Sequence, residues 1–109
     1  MLVSQHTDHK HFGAMKLGSI VDGLCDPGYE RDLIHIATIA LQSANVDLIV
    51  TNQSWSVVGE ALRHEGYLQA ATNFFFAASP DLARTLSPFE ATVAASHLTR
   101  GDGDGPIHL

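Results

Sequence analysis

The chain has one cysteine, Cys25, so no disulfide can form within it, which agrees with a reducing, cytoplasmic setting. No apolar run approaches the roughly 20 residues that a membrane span needs, so no membrane association is expected. The opening residues, Met1-Leu2-Val3-Ser4-Gln5-His6, hold no basic stretch followed by a long apolar one, and no secretion signal is expected. Basic residues are scarce. Lys10, Lys16, Arg31, Arg63, Arg84 and Arg100 stand singly against 12 acidic residues, for a net charge of −6. A protein that tracks a nucleic-acid backbone presents a basic face, so nucleic-acid binding is not expected, and the acidic balance favours solubility. Internal repeats and low-complexity linkers are also absent. Of 109 residues 45% are hydrophobic and 17% charged, which is globular rather than disordered composition and enough for one core.

Residues 1–15 are polar and His-rich and read as a loose N-terminal arm or a short edge strand; residues 16–109 read as a single domain. In 16–24, Leu17, Ile20, Val21 and Leu24 would suit a helix by spacing, but Gly18, Gly23 and the β-branched pair favour a strand with a bulge. Asp26-Pro27-Gly28 then predicts a helix start, with Asp26 as cap and Pro27 at the first helical position. That helix is expected to run to about Ser43. Leu33, Ile34, Ala37, Ala40 and Leu41 form its apolar stripe, and Ile36 and Ile39 widen it. So wide a face implies a helix covered on more than one side.

Residues 46–51 read as a buried strand, which makes a parallel crossover with the first one. Asn52, Ser54 or Ser56 is expected to cap a second helix with Val57, Val58, Ala61 and Leu62 inward, and Gly66 to end it in the left-handed conformation. Residues 72–78 read as a strand. Ser79-Pro80 caps a short helix to about Leu86, and a last strand is expected near 92–99. The predicted order is β-α-β-α-β-(short helix)-β: an α/β fold with a mixed sheet of about four strands and two main helices.

That order resembles the second half of the GNAT-type N-acetyltransferase fold. Ala61-Leu62-Arg63-His64-Glu65-Gly66-Tyr67 is similar to the family's late helix, which ends in a glycine and an aromatic residue. Segments 18–22, 26–28, 51–54, 73–80 and 97–106 resemble the C-terminal part of longer bacterial GNAT-like proteins. The resemblance spans residues 16 to 109 and implies half of an acetyltransferase fold standing alone.

In catalytic members a glycine-rich turn and a helix N-terminus hold the pyrophosphate of acetyl-CoA. The matching segment here, 26–32, has Pro27, which removes an amide donor. It also has Asp26, Glu30 and Asp32, each opposing a phosphate by about 1–3 kcal/mol at an effective dielectric of ~20, and Arg31 offsets only part of that. The resemblance also implies a glutamate base on an earlier strand, which has no counterpart here, and a tyrosine acid on the late helix. Trp55 stands at the start of that helix and Tyr67 just after it. Tyr67 reads as an aromatic anchor, with a displaced acid as the alternative.

Other clusters read as structural. His6, Asp8, His9 and His11 are ligand types without a rigid frame, so no metal site is expected. Asp102-Gly103-Asp104-Gly105 echoes a calcium loop but lacks its later ligands. Cys25 precedes a helix start, where Asp22 and Asp26 oppose thiolate formation. Ser19 and Ser54 lack a nucleophile elbow, and His35 reads as a core-edge histidine. No catalytic, cofactor or metal residue is assigned. The expectation is a non-catalytic, GNAT-like module that binds a ligand or partner or forms a homodimer through an exposed sheet edge or face, with the first strand as a candidate for the contact. The alternative is an acyl-CoA-dependent N-acyltransferase fragment completed by a second chain.

Overall fold

The computed structural model describes residues 2–6 by their backbone, and residues 13–71, 77–99 and 102. Its centre is β2 (Leu17–Asp22), flanked by β1 (Leu2–His6) and β3 (Leu48–Thr51) in a mixed sheet of order β1-β2-β3. β1 is the edge strand that the polar N-terminus allowed, antiparallel to β2. Leu2 pairs with Asp22 and Val3 with Ile20, so Val21 is the extra residue of the expected bulge. β3 runs parallel to β2, with Leu17 beside Leu48 and Ile20 beside Thr51. Reciprocal bonds of 2.7 Å fix that register: Lys16 N donates to the Asp47 carboxylate, and Asp47 N to the Lys16 carbonyl.

The crossover between the parallel strands is α1 (Glu30–Ser43). A side chain at Gly18 would put its Cβ 3.0 Å from Leu41 and 3.1 Å from Val46, so the glycine lets α1 lie close on the sheet. Among the described residues two clusters form the core. Ile20 packs with Ala37 and Leu41, while Ile34 packs with Val58, Ala61 and Leu62 of α2 (Ser56–His64). Each fully buried Leu or Ile contributes roughly 1.5–3 kcal/mol. Tyr67 packs against both clusters and joins them.

α2 ends as expected. Gly66 has φ +97°, its N–H donates to the Arg63 carbonyl and the Tyr67 N–H to that of Leu62, the paired bonds of a Schellman motif. Its start differs: Trp55 is the cap residue, without a side-chain cap bond. α1 also begins later than predicted. Asp26 is not its cap and Pro27 is not its first residue; Gly28, at φ +95°, turns the chain so that the helix starts at Glu30 after Tyr29. α3 (Pro80–Thr85) is capped by Ser79, whose Oγ accepts from Leu82 N at 3.3 Å.

The strand expected near 92–99 is instead α4 (Phe89–Ala95), followed by a single antiparallel bridge between Gln53 and Thr99. Ala91, Ala94 and Ala95 supply helix propensity that outweighs the β-branched Thr92 and Val93. Of the strand expected at 72–78, residues 72–76 lie outside the described residues, and 77–78 are not in a strand. Among the described residues the sheet therefore has three strands rather than about four. No helix among them is long and apolar enough to cross a membrane.

Candidate functional site

Open α/β sheets place their sites at the carboxyl ends of parallel strands. Here β2 and β3 end at Asp22 and Thr51, and the chain after β3 runs through Gln53 and Trp55 into α2. Residues 96–99 return to this point. A polar chain crosses it: Thr51 Oγ1 donates to the Ile20 carbonyl at 2.9 Å and accepts from Gln53 Nε2 at 3.0 Å. That orientation turns Gln53 Oε1 to His97, 3.2 Å from Nε2. A carbonyl oxygen only accepts, so His97 Nε2 carries the proton. The imidazole also lies against Trp55, centroids 5.5 Å apart and planes at 43°.

Beside this chain is a shallow recess, open to solvent, with apolar walls from Ile20, Leu33, Ile34 and Val58 and polar ones from Gln53 and His97. Its enclosed space is about 10 Å³, room for roughly one water molecule, against about 300–1,000 Å³ for small-molecule sites, so it is not a preformed ligand or coenzyme pocket.

The acidic segment stands where the sequence put it. Glu30 is buried, and its Oε2 accepts from Gly28 N at 2.9 Å, so the first turn of α1 holds its own carboxylate. Burial pushes the Cys25 thiol up, and the charges of Glu30, Asp26 and Asp32 push it further, the reverse of an activated nucleophile. Arg31 is exposed. Tyr67 anchors the end of α2 against both the sheet and α1: it packs on the cluster that holds Ile20 of β2, and its hydroxyl lies 2.9 Å from Thr38 Oγ1. Trp55 belongs to the recess end of α2, away from that hydroxyl pair.

His35 is exposed rather than at the core edge, and its Nδ1 lies 2.8 Å from Glu65 Oε1. Ser19 is buried in β2. Ser54 bonds residues 96–98 instead of capping α2. Asp102 accepts from the N–H and hydroxyl of Thr99, which closes a local turn; residues 103–105 lie outside the described residues. So do Asp8, His9 and His11, while His6 is described by its backbone in β1. Among the described residues no group of three or more His, Cys, Asp or Glu is placed to hold a metal ion. Gln53 and His97, the polar pair of the recess, carry no sequence signal, since 44 residues separate them. No family model matches the chain, and neither a curated protein nor a solved structure matches it.

Proposed function

We propose that this chain is a non-catalytic, GNAT-like module that works by self-association, with the outer face of α1 as its contact surface. One observation carries the reading. From Leu33 to Val46 the sequence holds no Asp, Glu, Lys or Arg, yet Ile36 and Ile39 remain 58% and 47% exposed. An uncharged helix face is one that something covers. Tyr29, Leu33, Ile36, Ala40 and Ser43 alternate in steps of four and three, a single row along the helix, and Tyr29 is 60% exposed.

The exposed apolar centre of α1 is matched to itself. With a two-fold axis at Ile36, an antiparallel copy sets Ile36 on Ile36, Leu33 on Ile39 and Tyr29 on Ser43, as an isologous interface requires. At net charge −6 per chain, an uncharged face is where two copies approach with least repulsion. A charged partner finds nothing there to complement. β1 is paired with β2 along one edge only; the contact is placed on α1 because exposed Ile36 and Ile39 lie there. A contact confined to one helix face is small, and the expected Kd is between about 1 μM and about 1 mM.

Sedimentation from about 10 μM to about 1 mM tests this. A concentration-dependent dimer is expected, lost in Ile36→Glu while the circular dichroism stays unchanged. A monomer throughout, or a dimer indifferent to both Ile36→Glu and Ile39→Glu, overturns the reading. Acetyl-CoA titrated into the same sample separates it from an acyl-CoA-dependent one. A Kd tighter than about 100 μM, roughly −5.5 kcal/mol, would favour the enzyme.

A further inference from the structure

Residues 96–99 are held to the carboxyl ends of the parallel strands by polar contacts centred on one serine. Ser54 N donates to the Leu98 carbonyl at 3.0 Å, and Leu98 N donates back to Ser54 Oγ at 2.7 Å. The same hydroxyl donates to the Ser96 carbonyl at 2.5 Å. His97 adds its bond to Gln53 and its contact with Trp55, and Thr99 bridges Gln53. The helices that lead to this segment, α3 and α4, bury none of their residues. Among the described residues the buried apolar ones come from β2, α1 and α2.

We propose that residues 96–99 are a latch over the recess, closed by Ser54 and His97, that opens as a unit while the core stays folded. Local opening follows the contacts that are lost. Releasing this segment exchanges exposed hydrogen bonds for bonds to water, and it leaves Ile20, Ala37 and Leu41 packed together and Ile34 packed with Val58, Ala61 and Leu62. Opening lifts His97 from Trp55 and uncovers the recess walls formed by Ile20, Leu33, Ile34 and Val58, a space that holds about one water molecule while the latch is closed. Ser54 is the closing residue because its hydroxyl both accepts and donates, and removing it breaks two of the bonds at once.

Amide hydrogen exchange on the full chain tests the latch. Ser54 and Leu98 N–H are expected to exchange with similar protection, at least about 100-fold faster than Ala37 and Leu41 in α1. In Ser54→Ala, Leu98 is expected to exchange about tenfold faster again, with Ala37 and Leu41 unchanged. Acrylamide quenching of Trp55, the sole tryptophan, is expected to rise in that variant. Exchange of Ser54 and Leu98 at the rate of Ala37 and Leu41 in the unaltered chain overturns the proposal. So does a Ser54→Ala variant in which all four amides lose protection together or Trp55 quenching is unchanged. Should Ser54→Ala fail to fold, the comparison in the unaltered chain decides.

Discussion

Single polar groups decide how α1 is held. Thr38 Oγ1 donates to the Ile34 carbonyl at 2.8 Å, which leaves it to accept from the Tyr67 hydroxyl. Burial pushes the Tyr67 phenol above its ordinary range, and Glu65 adds to the rise. Cys25 is pushed up as well, first by burial and then by Glu30, Asp26 and Asp32. Both groups therefore hold their protons in the folded chain to a higher pH than in the unfolded one, which releases them near ~8.5 and ~10. Their contribution to stability is complete below those values and is lost as pH climbs through the raised ones. The urea midpoint is expected to fall between about pH 8 and about pH 11, with the upper part of the fall shallower in Tyr67→Phe. A midpoint that holds or rises over that range in the unaltered chain would contradict this account.

Between residue and fold, the elements divide by what specifies them. Local chemistry made several legible in advance: the bulged β2, the long apolar α1, the Gly66 terminator and the Ser79 cap each depend on residues within a turn or two of each other. Tertiary competition hid the rest. Ser54 is a good cap by type, but its hydroxyl is taken by Ser96 and Leu98 more than 40 residues on. Thr92 and Val93 suggest a strand and are overruled by the alanines around them. The candidate site divides the same way. The acidic start of α1 was readable from 26–32, whereas the Gln53–His97 pair exists only once the chain has returned to β3. Two glycines test the local rules with opposite signs. Gly66 has open space around it and φ +97°, so Gly66→Ala is expected to cost roughly 1–3 kcal/mol through conformation alone. Gly59 sits inside α2, where a Cβ would meet nothing nearer than Arg63 at 3.8 Å, so Gly59→Ala is expected to stabilise by roughly 0.5–1 kcal/mol. Chemical denaturation of the pair decides, and two changes of the same sign would contradict the reading of α2.

For the molecule as a whole, charge and apolar surface pull in opposite directions. Each chain carries −6, so bringing two together builds up repulsion over the entire surface, while the uncharged row on α1 supplies attraction at one place. Salt acts on the first term and leaves the second nearly untouched. The Debye length shortens from ~30 Å at 0.01 M to ~10 Å at 0.1 M, so repulsion between the acidic surfaces weakens over the distances that separate two docked chains. Burial of Ile36, Ile39 and Tyr29 does not depend on ionic strength in that range. The dimer is therefore expected to tighten several-fold as sodium chloride rises from about 0.01 M to about 0.1 M, measured by sedimentation at fixed protein concentration. An interface held by ion pairs would loosen over the same range. Loosening would therefore remove α1 as the contact, because no Asp, Glu, Lys or Arg lies between Leu33 and Val46 for the salt to screen, and Glu65 is paired with His35 within the chain.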